Sequence, residues 1–270
     1  MKKIGLIALC VLFAAGMFFT GCSGSKDDGK LICGVTLFAP MNFLDENGNW
    51  TGFDTEFAQA VGAKLGMEVE FQQIDWARKF LELQAGTISC IWNGMTANVV
   101  DGATGRQRYE DVDFTYAYML NQQAVVIRKT RVSEFQSDEA LVGKTVAAES
   151  GSAGETIAKD AVGESGRVIG SSAQIDAFIE VKSGAVDFAL VDILLAEQMA
   201  GVGDNADLMI APIEMGAEVY AIGFPKKSPM VAKVNRAIVE LFDDGTMLSL
   251  AQKYGLETSL QLNRTRIQDM

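Results

Sequence analysis

The sequence contains no histidine. That absence removes Ser–His–Asp and Cys–His nucleophilic catalysis, and every histidine-ligated metal centre, in one step. Proline is scarce, with 4 in 270 residues, and cysteine equally so with 4: Cys10, Cys22, Cys33 and Cys90. No two of these form a CxxC pair, so zinc-ribbon and thioredoxin-type sites have no support and no metal or other cofactor is expected. Positive charge is in deficit: 23 lysines and arginines stand against 35 aspartates and glutamates, a net charge of −12. So acidic a chain has no general attraction for a phosphate backbone, and nucleic acid is not expected as a partner. What the sequence does have, 49% hydrophobic and 21% charged residues, is the composition of a globular chain with room for one large domain or two modest ones.

Only one long apolar run is present, and it stands at the N-terminus. Lys2 and Lys3 precede apolar residues 4–19, followed by Thr20-Gly21-Cys22 and a polar stretch to Lys30. The run is short for a membrane span of about 20 residues and has the order of a signal peptide. It resembles a bacterial lipoprotein signal. The resemblance implies that residues 1–21 are removed, that Cys22 becomes the lipidated first residue, and that residues 22–29 form a tether. An ordinary secretory signal or membrane anchor, with Cys22 a bystander, is the plainer alternative. Cys33 and Cys90 lie in short apolar runs and are expected as buried thiols. An exported location also permits a bridge between them, although parallel neighbours seldom meet its geometry.

Beyond the tether, short apolar strands alternate with helices. Residues 31–37 read as a strand, 45–49 as a hairpin turn around Asn47-Gly48, and 53–65 as a helix capped by Asp54 and ended by Gly66. Residues 68–72 and 88–92 read as strands, with a short helix at 78–84 between them. A second set follows, with strands at 124–127, 145–148, 168–170 and 185–191 and helices at 154–161, 174–183 and 193–199. Helices at 231–242 and 247–254 complete the chain. The fold class predicted is α/β: two Rossmann-like lobes facing across a cleft. Ligands of such sheets sit outside the carboxyl ends of the strands.

The residues at those ends are informative. Asn93-Gly94-Met95-Thr96 follows one strand and leads, through a polar stretch, to Arg106 and Arg108. Glu149-Ser150-Gly151-Ser152-Ala153 follows another and opens a helix; Asp192 follows a third. Arginine binds a carboxylate bidentately, a helix N-terminus favours an anion, and a lone carboxylate favours an ammonium. Together they match a zwitterion. Singly, each has a bland reading: Arg108 solvated, Asp192 a helix cap, Trp76 core, Glu149 facing solvent. The Ser-Gly-Ser loop lacks the Gly-Lys-Ser/Thr ending of a phosphate-binding loop.

In order along residues 31–256, these motifs are similar to the polar amino acid-binding proteins of bacterial ABC importers (extracellular solute-binding proteins, family 3), which have the type II periplasmic-binding-protein fold. The matching stretches are Phe43–Gly48 with Gly52-Phe53-Asp54, Trp76 before Phe80–Gly86, Gly94-Met95-Thr96, Arg108 with Val112-Asp113-Phe114, Ser150-Gly151-Ser152, Gly184–Asp187 before Asp192, and Tyr220–Lys227. The resemblance implies that Arg108 grips the ligand α-carboxylate, helped by Gly94, Thr96 and the Ser152–Ala153 loop, and that Asp192 holds the α-ammonium. Phe38 and Trp76 become aromatic walls, and Asn93 and Glu149 positions that vary with specificity. Two features depart from the family: residues 98–105 lengthen the approach to the arginine, where spacing to Val112 selects Arg108 over Arg106, and Thr36 and Leu37 stand where an acid usually follows the first strand. The lobes implied are 30–118 plus 218–260 and 122–216, joined by a two-strand hinge, with 261–270 as a tail.

The function implied is that of a lipid-anchored, extracytoplasmic binding protein. It is expected to act as a monomer that closes on an L-amino acid and delivers it to an ABC permease in the cytoplasmic membrane. The rivals are an enzyme on the same fold, dehydratase-like, for which only Glu149 offers a base, and a ligand-sensing receptor subunit, which needs an output segment beyond Met270.

Overall fold

The structure, a computed structural model, describes residues 29–270; the signal expected at 1–21, Cys22 and the expected tether up to residue 28 lie outside the described residues. The first half runs β1 (Lys30–Val35), a small hairpin of β2 (Phe43–Leu44) and β3 (Trp50–Thr51), α1 (Phe53–Leu65), β4 (Glu68–Gln73), α2 (Lys79–Ala85), β5 (Cys90–Ile91), α3 (Arg108–Asp111) and β6 (Val112–Phe114). Next come β7 (Ala117–Arg128), β8 (Thr145–Glu149), α4 (Ala153–Val162), β9 (Arg167–Ser171), α5 (Gln174–Ser183), β10 (Phe188–Asp192), α6 (Ile193–Met199) and β11 (Leu208–Ile210). The chain closes with β12 (Ala217–Tyr220), β13 (Gly223–Pro225), α7 (Met230–Asp243), α8 (Thr246–Tyr254) and β14 (Leu260–Asn263).

Two sheets organise these elements. One has the order β4-β1-β5-β13-β6, with β4, β1 and β5 parallel. The other has the order β11-β7-β10-β8-β9, with β10, β8 and β9 parallel. Helices cover both faces of such a sheet, which is why β10 reads as an unbroken apolar run, buried from Phe188 to Asp192. Each sheet carries its own lobe. The chain passes between them along β7 and returns along β12, which pairs antiparallel with it from Ala217↔Gln122 to Tyr220↔Met119.

Three local expectations change in the folded chain. Asp54 does not cap α1: the cap position is Gly52, and the buried Asp54 carboxylate instead accepts hydrogen bonds from Gly94 N at 2.7 Å and the Tyr118 hydroxyl at 2.8 Å. Asp192 opens α6 without a side-chain capping bond, because its carboxylate is engaged elsewhere. Residues 261–270 are not a loose tail. Leu260 and Asn263 of β14 pair with Met119 and Ala117 of β7, and Ile267 is buried against Ala117, Val219 and Ala221. Apolar burial there outweighs the freedom of a chain end. Cys33 and Cys90 are register partners on β1 and β5, buried as free thiols with sulphurs 3.7 Å apart.

Candidate ligand-binding site

The parallel strands of both sheets point their carboxyl ends at the same place. From one lobe come Phe38 beyond β1, Trp76 beyond β4, and Asn93, Gly94 and Thr96 beyond β5. From the other come Glu149 ending β8, Gln174 beyond β9, Ser152 and Ala153 at the start of α4, and Asp192 ending β10. With Arg108, these residues line one cavity between the lobes. All ten positions singled out from the sequence are therefore brought together, with Gln174 added. The space left in it is about 10 Å³, room for roughly one water.

Arg108 dominates the cavity. It is 1% exposed, while Arg106 points outward to Asp111. Its Nη1 donates to Thr96 O at 2.8 Å, its Nη2 to Gly151 O at 3.0 Å across the cleft, and its Nε faces Asp101 Oδ2 at 3.4 Å. A guanidinium has five N–H donors, so one hydrogen on each terminal nitrogen remains unspent. Gly151, at φ +75, lies so close to the opposite lobe that a Cβ there would meet Ala77 Cα at 2.8 Å, so only glycine fits.

Lys79, which the sequence reading passed over, is buried beside it. Its Nζ donates to Gly151 O at 2.8 Å, lies 3.3 Å from Asp101 Oδ2 and sits over the rings of Trp76 and Phe80. Burial, reinforced by the Arg108 charge, pushes the ammonium down to about 7 against the pull of Asp101. Burial works to raise the Asp101 carboxyl, but the two cations outweigh it and hold it below its usual range. Its Oδ1 meanwhile accepts from Ala103 N at 3.1 Å, folding the long loop at 98–105.

The opposite wall is acidic. Asp192 accepts hydrogen bonds from Asn121 at 2.7 Å, Gln123 at 2.6 Å and Gln174 at 2.5 Å, and Gln174 Oε1 accepts Asp192 N at 2.8 Å. Glu218, on hinge strand β12, draws on the same two hinge amides, Asn121 at 2.6 Å and Gln123 at 3.0 Å, and on the Thr96 hydroxyl at 3.0 Å. Burial raises the Asp192 carboxyl despite these donors, and burial with the Asp192 charge pushes Glu218 up to about 7. Glu149 is 3% exposed, and its buried Oε1 has no hydrogen-bond partner. Burial, then the Asp192 charge, pushes it up to about 8.

The remaining predicted residues have supporting geometry. Asn93 spends its amide within its own lobe, donating to Thr36 O and Asn42 Oδ1 and accepting from Thr36. It therefore shapes the wall rather than offering free polar atoms. Ser152 caps α4, its hydroxyl accepting from Glu155 N at 3.0 Å. The amides of Ala153 and Gly154, in the first turn, have no intrahelical acceptor. Gly94, at φ +55, has no room for a Cβ, which would meet Phe38 at 2.6 Å.

Comparison with known proteins identifies the family and the fold. The family described as bacterial extracellular solute-binding proteins, family 3, matches residues 31–257. The arginine-binding extracellular protein ArtP of Bacillus subtilis is 30% identical over 260 residues, covering 94% of this chain and 98% of that protein. The probable amino-acid-binding protein YxeM of the same organism is 32% identical over 253 residues, covering 91% and 90%. Among solved structures, an ancestral arginine-binding protein bound to arginine superposes with a TM-score of 0.74 at 34% identity, over 84% of this chain and 98% of that one.

Proposed function

The chain belongs to the bacterial extracellular solute-binding proteins, family 3, with the type II periplasmic-binding-protein fold, and on that premise we propose that it captures a free L-amino acid by closing its two lobes and delivers it to an ABC importer. It is an amino acid-binding protein of the ABC-transporter class, and not an enzyme: its relatives at 30% identity or better are named binding proteins.

The observation that carries the proposal is the pairing of opposite charges across the cavity. Arg108 keeps two unspent N–H groups for an α-carboxylate, supplemented by the Ser152–Ala153 start of α4, while Asp192 stands ready for the α-ammonium. In this reading the ligand docks between Phe38 and Trp76, its carboxylate pairs with Arg108, and closure brings Asp192 to the ammonium. Closure excludes water, and the charged hydrogen bonds strengthen as the dielectric falls. Lobes bounded at 30–118 plus 218–260 and at 122–216 would move as rigid bodies about β7 and β12, with β14 and the segment to Met270 travelling with the first.

A melting screen against the common amino acids tests the binding. A specific ligand at 100 times its dissociation constant adds about 2.7 kcal/mol of stability; a flat response to all of them would remove the proposal. Solution scattering with and without the best ligand tests closure, and an unchanged radius of gyration would count against it. No described helix is long and apolar enough to cross a membrane. We further propose that the protein works as a monomer on the outer face of the cytoplasmic membrane, anchored by lipid on Cys22. Cys22→Ser should then abolish lipid labelling and release the protein or leave it unprocessed, and a mature chain beginning elsewhere without lipid would refute the anchor.

A further inference from the structure

The buried charges of the cavity do not balance. Two cations, Lys79 and Arg108, face four carboxylates: Asp101, Glu149, Asp192 and Glu218. A fifth, Asp54, lies beneath Gly94. Lys79 is matched by Asp101 at 3.3 Å. A bound zwitterion would match Arg108 with its carboxylate and Asp192 with its ammonium. Glu218 is supplied with hydrogen bonds by Thr96, Asn121 and Gln123, and Asp54 by Gly94 and Tyr118. Glu149 alone is left over. It is nine-tenths buried and more, it lines the cavity, and its Oε1 meets no donor. Asp176 on α5 adds to the negative field upon it, while Lys79 and Arg108 temper it without a hydrogen bond.

An unpartnered buried carboxylate is costly, and a cation is the group that relieves it. Two aromatic walls, Phe38 and Trp76, line the same space, and aromatic faces attract cations. Resting on the amino acid reading above, we propose that the ligand is an amino acid whose side chain carries a positive charge, and that Glu149 is the residue that selects it. Glu149 rises to about 8 when no cation meets it, as an acid without its counter-charge should. The ligand's side-chain cation stands in for that counter-charge.

The test is calorimetry on the full-length chain in detergent at pH 7, with two matched pairs. L-Arginine and L-citrulline share length and shape and differ in charge; L-lysine and L-norleucine differ likewise. The wild type should prefer the charged member of at least one pair by about 30-fold or more, because only a side-chain cation forms a buried ion pair with Glu149, while its neutral analogue meets a protonated acid. Glu149→Gln should reduce that preference below about threefold, mostly by weakening the charged ligand. Equal or tighter binding of citrulline and norleucine by the wild type would overturn the inference alone and leave the amino acid reading standing. A preference that survives intact in a folded Glu149→Gln protein would overturn the role of Glu149. Should that variant fail to melt cooperatively, the wild-type pairs still decide the ligand class. No binding of any amino acid would overturn both readings together.

Discussion

Replacing Asp101 by asparagine is the sharpest perturbation of the cationic half of the site, because Asp101 need not touch a ligand. One oxygen, Oδ2, faces both Lys79 Nζ at 3.3 Å and Arg108 Nε at 3.4 Å. The other oxygen holds the loop through Ala103 N at 3.1 Å. Asparagine is nearly isosteric and keeps an acceptor for the loop, so the change removes charge more than shape. Two buried cations then lie side by side without a counter-ion. Breaking a buried ion pair from one side costs about 3–5 kcal/mol. For a domain of this size that is a fall in melting temperature of roughly 6–20 °C. The pH dependence carries the diagnosis. Lys79 already titrates near 7, well below its ordinary 10.5, and loss of Asp101 moves it lower still. A base whose folded pKa is depressed burdens the folded state while it is protonated, and the burden lifts as pH rises through that pKa. The deficit of Asp101→Asn should therefore be larger near pH 6 than above pH 8, where Lys79 is neutral in both folded proteins, and should reach its full size only below the variant's own, lower Lys79 pKa. Adding Lys79→Met should recover part of the loss at pH 6. Calorimetric melting of the three proteins at pH 6 and pH 9 settles the matter. A variant within about 1 kcal/mol of wild type at pH 6, or a deficit equal at both pH values, would refute the ion cluster as described.

The other expectations concern the carboxylate fork, the acidic wall and the thiols. Arg108→Ala should weaken amino acid binding by about 30-fold or more, since 2–5 kcal/mol is lost when a buried charge loses its partner; near-wild-type affinity by calorimetry would contradict the assignment. Asp192→Asn should weaken binding comparably and lower the unliganded melting temperature only modestly, because its one oxygen can still accept from Asn121 and Gln123 while its NH2 loses the Gln174 bond; near-wild-type affinity would contradict the assignment. Stability of the ligand-free protein should fall as pH rises from about 5 to 7. Glu149, Glu218 and Asp54 have raised pKa values of about 8, 7 and 7, so their contribution is fully present below their ordinary range and is lost as pH climbs through the folded values. A melting temperature that instead climbs across that window would show these acids to be hydrated. Cys33 and Cys90 should react with a thiol reagent only after denaturation, as free thiols at 0% exposure; a reagent-silent denatured protein would mean a bridge.

Much of the site was legible in the sequence because parallel α/β sheets place their ligands by rule, outside the carboxyl ends of strands. Finding where apolar runs at 88–92, 145–148 and 185–191 end was enough to reach Asn93–Thr96, Glu149–Ala153 and Asp192. The choice of Arg108 over Arg106 came from the resemblance, whose spacing to Val112 matches Arg108. Gln174 was missed because a polar residue at the start of α5 looks like any helix opening. Lys79 begins α2, where a lysine is ordinarily solvated; its burial comes from partners distant in sequence, Asp101 and, across the cleft, Gly151 O. Asn121 and Gln123 did leave a trace, two polar residues on the inward face of an otherwise apolar strand. Nothing in that strand said that both amides would be shared between Asp192 and Glu218.

The sequence by itself determined the alternation of strands and helices, the excess of acid over base, and the residues at strand ends, because these depend on neighbours a few positions apart. Tertiary structure alone decided which of those charges lost their water. Asp101, Lys79, Glu149 and Glu218 are buried where residues from both lobes converge, Lys79 meeting Gly151 O across the cleft. Desolvation depends on what lies opposite across the cleft, and that distance is not written in sequence separation. For the same reason Asp54, which a local reading makes a helix cap, becomes an anchor for Gly94 and Tyr118, and the chain end beyond Leu260 becomes a strand against β7.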